Sequence, residues 1–243
     1  MTEAEKQYID LYTEASEAIK EHSAEVMNAV RDRAFEDFRR QGFPTRKVER
    51  YKYTDMEKIF APNYGLNINR IEFPVDPYAA FRCDVPNLST LLYFVVNDAF
   101  YTKRLPNVHP EEGVVIGSLR KAAEEHPELI ARYYARIAKT EEDAITALNT
   151  MLAQDGLFVY VPKNVQMEKC VQIINILRAD VSMMVNRRVL IVMEEGAKAK
   201  FLFCDHTADD HDFLATQVIE AYVGDNASLD LYCMEETHYK NIA

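Results

Sequence analysis

Asp205-His206-Thr207-Ala208-Asp209-Asp210-His211-Asp212 is the stretch best equipped for chemistry, because two imidazoles among several carboxylates can hold a hard or borderline divalent ion. A solvated loop between strands has the same composition, and its flexibility opposes a preorganised site, so no metal is expected there. A second cluster, Arg46-Lys47-Val48-Glu49-Arg50-Tyr51-Lys52-Tyr53-Thr54-Asp55, offers Arg46, Lys47, Arg50 and Lys52 to an anionic partner. The preferred reading is structural, with Glu49 paired to a neighbouring base and Tyr51 and Tyr53 packing helices onto the rest of the chain. The cysteines, Cys83, Cys170, Cys204 and Cys233, lie tens of residues apart with no C-x-x-C pair, which signals neither a disulfide framework nor a zinc site. Reduced thiols are expected.

Composition narrows the partners. The 243 residues carry 39 acids against 28 bases, a net charge of -11, which opposes binding to nucleic acid or an anionic membrane. Met1-Thr2-Glu3-Ala4-Glu5-Lys6 is neither a signal peptide nor a transit peptide, and apolar runs such as Leu91 to Val96 are too short to span a bilayer. A soluble cytoplasmic protein is expected.

Residues 3 to 40 have helical spacing, with Tyr8, Ile9, Leu11, Tyr12, Ala15 and Ile19 and then Val26, Met27, Val30, Phe35 and Phe38 among charges, ended by Gly42-Phe43-Pro44. A Pro-rich passage follows, with Pro62, Pro74, Pro77 and Pro86, and is expected to be irregular. Leu91 to Val96, Asn97-Asp98 and Ala99 to Tyr101 predict a short hairpin. Helices are predicted from an N-cap at Ser118 through Glu125, over Pro127 to Ala138, and over Glu141 to Ala153, the last stopped by Asp155-Gly156. Beyond Gly156 the apolar period changes from about 3.6 to 2. Residues 1–154 are therefore expected to form a mainly helical region and residues 155–243 a β region.

That β region repeats. Leu157, Val159, Val161, a three-residue break, Val165 and Met167 are matched by Val189, Ile191, Met193, a break, Ala197 and Ala199. They are matched again by Ile219, Ala221, Val223, a break, Ala227 and Leu229, so the copies start 32 and then 30 residues apart. Each break ends on Asn164, Gly196 or Asn226, residue types that enter the left-handed backbone region most cheaply, which implies sharp corners. A meander of hairpins has the same faces. The near-constant repeat, with room for a return strand such as Val171 to Leu177, favours a parallel β-helix. The last copy is incomplete at Ala243, so further coils are expected in a longer protein. An open end with unpaired strand edges is expected to promote homodimerisation or aggregation.

Three stretches resemble the SufBD family of iron-sulfur cluster assembly scaffolds, and its D-type members more than its B-type ones. They are Gly42-Phe43-Pro44-Thr45-Arg46 with Glu49 and Tyr51-Lys52-Tyr53-Thr54; Ala147-Leu148-Asn149-Thr150 with Asp155-Gly156-Leu157-Phe158 and Tyr160-Val161-Pro162-Lys163; and Arg188 to Glu195 with Val223-Gly224-Asp225-Asn226-Ala227. Tyr51 stands where the family usually has Trp, and Cys170 where Pro is common. The resemblance implies a right-handed parallel β-helix, hence a mainly β chain, preceded by an α-helical N-terminal region. It implies partnership with a homologous SufB-like subunit and a SufC-like ABC ATPase, the latter through a segment expected beyond residue 243. It carries over no catalytic residue.

Thiolates are the usual ligands of iron-sulfur clusters, but in the repeat Cys233 aligns with Phe203, an inward position, and Cys204 falls on the opposite face. No shared site, cofactor or metal is expected from them. The expectation is a non-catalytic scaffold subunit. The alternatives are a carbohydrate-active β-helix enzyme or a freestanding oligomerisation module. The first would show clustered carboxylates on one outward face, whereas Phe158, Tyr160, Leu190, Val192, Glu220 and Tyr222 form a mostly apolar one.

Overall fold

The computed structural model describes residues 1–80, 90–106, 110–237 and 241–242. Cys83 and Pro86 lie outside the described residues. The elements run α1 (Glu3–Glu21), α2 (Glu25–Asn28), α3 (Arg31–Gln41), a 3-10 turn (Glu49–Tyr51), α4 (Met56–Phe60), α5 (Pro77–Ala80), β1 (Thr90–Val96), β2 (Ala99–Phe100) and β3 (Val115–Ser118). There follow α6 (Leu119–Glu125), α7 (Pro127–Tyr133), α8 (Ala144–Leu152), β4 (Leu157–Val161), β5 (Cys170–Leu177), β6 (Met183–Met193), β7 (Lys198–Thr207), β8 (Phe213–Val223) and β9 (Ser228–Glu236).

Successive strands after α8 alternate between two sheets, one ordered β2-β1-β5-β7-β9 and the other β3-β4-β6-β8. Leu157 pairs with Val189 and Val189 with Ile219, both in parallel, so the sequence repeat is the rung spacing of one sheet. Parallel pairing rules out the meander of hairpins. The corners behave as their residue types require, since Asn164, Gly196 and Asn226 have φ of 63°, 70° and 58°. Asn164→Val is accordingly expected to cost about 1–2 kcal/mol, and Asn164→Gly close to nothing, in thermal unfolding.

The expectation of a mainly β chain wound as a right-handed parallel β-helix is corrected. The structure is mixed α/β, two mainly parallel sheets with helices packed on them, and each sheet carries an antiparallel pair, β1 with β2 and β3 with β4. Alternation along a strand states which face is buried. It does not state what covers that face, and here helices do. Leu91, Val159, Ile173, Ile191 and Phe201 fill the space between the sheets. The outer face of the four-stranded sheet meets helices twice. Phe158, Leu190 and Val192 pack with Met27, Leu119 and Ile130, and Met184 and Leu214 pack with α1, α3 and α8 through Tyr12, Phe38 and Leu148.

Two helical expectations shift for stated reasons. The long N-terminal helix breaks into α1, α2 and α3, because the buried Arg31 draws the intervening turns together, donating to Ser23 Oγ at 2.9 Å and Asn28 Oδ1 at 3.1 Å. The helix expected through Ala138 stops at Tyr133, because Ala135 turns left-handed at φ 54° and the following N–H groups leave the helix for Glu220. The hairpin over β1 and β2 forms as expected, with Asn97 at φ 55°.

Candidate functional site

Neighbouring residues on a strand point to opposite faces, so Arg187 and Arg188 of β6 must go different ways. Both are buried. Arg188 goes outward under the helices and donates to Glu220 Oε2 at 2.6 Å, with both side chains fully inaccessible. Glu220 then accepts from four backbone N–H groups, Ala135, Arg136, Ile137 and Ala138, at 2.9–3.0 Å. Arg188 also donates to Thr150 Oγ1 at 2.9 Å and lies 4.9 Å from the centre of the Tyr134 ring. Asn149 completes the clasp, giving its amide to Thr216 Oγ1 at 2.9 Å and to the Arg187 carbonyl at 3.0 Å. One charge pair thus ties β6 and β8 to α8 and to the turn after α7.

Arg187 points between the sheets, where it donates to Asp205 Oδ1 at 2.8 Å and to the Asn97 carbonyl at 3.2 Å. Burial pulls its guanidinium below the ordinary range against the opposing charge of Asp205. Asn175 donates to the same carboxylate oxygen at 2.6 Å. Asp205, the first residue of the metal-like string, is therefore engaged inside the core. Asp209 accepts from the N–H groups of Ala179 and His211 at 2.9 and 3.0 Å, which shapes the loop. The string is split between a core pair and a turn rather than converging on one ion.

The Arg46 to Asp55 motif also resolves into pairs. Arg46 meets Asp55 at 3.2 Å, Lys52 meets Glu49, and Arg50 meets Asp143 at 3.0 Å. Tyr51 packs beside the α1, α3 and α8 cluster and donates to Asp143 at 2.7 Å, whereas Tyr53 is 90% exposed and packs no helix. Asp143 caps α8 by accepting from Thr146 N at 2.8 Å. Burial raises its carboxyl, but the Tyr51 hydroxyl, Thr146 and Arg50 outweigh that and hold it below the usual carboxylate range. The charged form is thus worth more folded than unfolded above the unfolded value of about 3.9, and this advantage is lost as pH falls through the folded value. Asp143→Asn keeps the cap and is expected to cost about 1 kcal/mol at neutral pH, with the gap to the parent closing on acidification in unfolding titrations.

Cys204 lies with Phe94, Ile174 and Ile176 on the outer face of the five-stranded sheet, and Cys233 pairs with Phe203, as the repeat alignment predicts. The two thiols face opposite sides of that sheet. The apolar outward set Phe158, Leu190 and Val192 is covered by helices, so it offers no cleft for a polymer chain. No helix among the described residues is long and apolar enough to cross a membrane.

Sequence reasoning missed the Arg188 to Glu220 clasp. Its signal was a single charged residue on a strand face that carries no other charge, one rung from a strand that carries two adjacent arginines.

The fold and its buried charges define a helix-covered, two-sheet protein whose interior ions serve to join elements. The chain belongs to the SufBD family. Residues 2–173 match the SufBD protein N-terminal region, and residues 175–243 match the SufBD core domain of SUF system FeS cluster assembly. Among its relatives is the iron-sulfur cluster assembly protein SufD of Bacillus subtilis, 29% identical over 185 residues that cover 75% of this chain and 41% of that protein. A SufBD family protein of Synechocystis is 33% identical over 124 residues, 49% of this chain and 25% of its own length. A chloroplastic one of Arabidopsis thaliana is 32% identical over 122 residues, 49% of this chain and 21% of its own length. The chain spans less than half the length of these relatives.

Proposed function

We propose that the chain is a scaffold or accessory subunit in iron-sulfur cluster assembly, acting through complexes rather than by catalysis of its own. Its partners in this reading are a homologous SufB-like subunit and a SufC-like ABC ATPase. The observation that carries the reading is the succession of two SufBD regions over residues 2–173 and 175–243. It is supported by the way Asp205, the first residue of the metal-like string, and the buried Arg187, Arg188 and Glu220 are spent on internal pairs. The test is co-expression of the tagged full-length protein with the B-type subunit and the ATPase encoded in the same genome. Co-elution of all three is expected, and recovery of the tagged protein alone under conditions where the other two remain soluble would sink the reading.

A further inference from the structure

Between α1 and residues 63–68 runs an open groove of about 470 Å³, within the size range of sites that hold ligands. Leu11, Leu66 and Ile68 line it with apolar surface, and among the described residues that line it the charged ones are Asp10 and Glu14 of α1, with no lysine or arginine. Both acids are exposed. Neither has a cation within ion-pairing distance among the described residues, whereas Glu5 and Glu17 of the same helix pair with the chain's amino terminus and Lys20. The imbalance extends along α1, which carries six acids against two lysines. A third carboxylate stands close by, since burial and then the charge of Asp212 push the hydroxyl of Tyr64, another lining residue, above its ordinary value.

The far wall is held in place. Gly65 exchanges backbone hydrogen bonds with Ser182 and Met184, both at 2.9 Å, and the Ile68 carbonyl accepts from Gln154 at 2.8 Å. A preformed groove spares a partner the cost of ordering it. Its chemistry selects the partner, because covering the apolar floor also takes Asp10 and Glu14 from water. That is favourable only when cations arrive with the apolar surface. Lysine and arginine do both, with aliphatic stems on the floor and charged ends at the rim.

We propose that this groove docks a basic amphipathic segment of a partner protein, aliphatic residues toward Leu11, Leu66 and Ile68 and lysines or arginines toward Asp10 and Glu14. The assignment does not depend on the assembly reading. The probe is a synthetic helical peptide with leucines at i and i+4 and lysines between them, alongside a counterpart with glutamate in place of lysine. Both are titrated into the whole 243-residue chain. Calorimetry supplies affinity and NMR shift mapping supplies location, with circular dichroism to verify folding.

The lysine peptide is expected to bind with shifts centred on α1 and residues 63–68, and the glutamate peptide not to bind. Asp10→Lys with Glu14→Lys should weaken binding at least tenfold. Glu128→Lys with Asp225→Lys, the same change in net charge at exposed positions outside the groove, should weaken it no more than about twofold. Equal loss in the two double variants, binding of both peptides, shifts centred elsewhere, or no binding would each overturn the proposal. So would concentration-dependent self-association abolished only by the groove variant, which would assign the groove to a second copy of the chain.

Discussion

Glu220→Gln is expected to lower the unfolding free energy by about 3–5 kcal/mol, the range found when one partner of a buried ion pair is removed. For a chain of this size that corresponds to a fall of roughly 6–20 °C in the unfolding midpoint. The large effect follows from how completely the carboxylate is used. Oε1 accepts from Arg136, Ile137 and Ala138, and Oε2 accepts from Ala135 and Arg188. Glutamine replaces one oxygen by an NH2 group, so whichever way it is turned a donor meets donors, and Arg188 keeps a buried charge with no counter-ion. The two partners are not equivalent. Arg188→Met leaves Glu220 with its four backbone donors, so it should cost less than the glutamate change. The chain has no tryptophan, so circular dichroism during urea and thermal unfolding is the direct readout. A Glu220→Gln loss under about 1 kcal/mol, or a larger loss for Arg188→Met, would remove Glu220 from the centre of this clasp.

The reason this pair escaped the sequence, while the corners did not, is the range over which each is determined. Asn164, Gly196 and Asn226 announce themselves locally, because a left-handed residue in an alternating apolar pattern has few other uses. The inward and outward faces are equally local, and Phe203 with Cys233 and Cys204 on the reverse side fall where alternation puts them. What covers a face is not local. Phe158, Leu190 and Val192 meet Met27 and Ile130 from far earlier in the chain, and no strand-period argument contains those helices. The solenoid expectation failed at this point. Hydrogen-bond demand is likewise long-range. The seven-residue α7 ends early only because Glu220, more than 80 residues on, takes the N–H groups that would have continued it. The family resemblance did pick out Ala147-Leu148-Asn149-Thr150, and the structure supplies the physical reason, since Asn149 and Thr150 are the contacts of α8 with β6 and β8.

Gly156 shows the same division between local and distant causes, and its replacement carries the second large effect. Beside Asp155 it looks like a helix stop, yet α8 ends at Leu152 and Ala153 is already extended. The glycine is required by close approach instead. A Cβ at position 156 would lie 2.0 Å from the Arg188 carbonyl oxygen and 2.8 Å from its carbonyl carbon, both backbone atoms with no side-chain freedom to yield. Gly156→Ala must therefore push β4 away from β6 at the first rung of their parallel pairing, where Leu157 meets Val189. The expected cost is about 3 kcal/mol, the upper end for overpacking a core. Gly117→Ala in β3 is the control. It lies in the strand that pairs with β4, but its Cβ would meet nothing within 4 Å, so a change of no more than about 0.5 kcal/mol is expected. Because the displaced carbonyl belongs to Arg188, Gly156→Ala and Glu220→Gln should fail to add, with a coupling of about 0.5–3 kcal/mol in a double-mutant cycle. Strict additivity would mean that the strand contact and the buried ion pair are separate features, and that the rigid placement of Arg188 does not come from the glycine beside it.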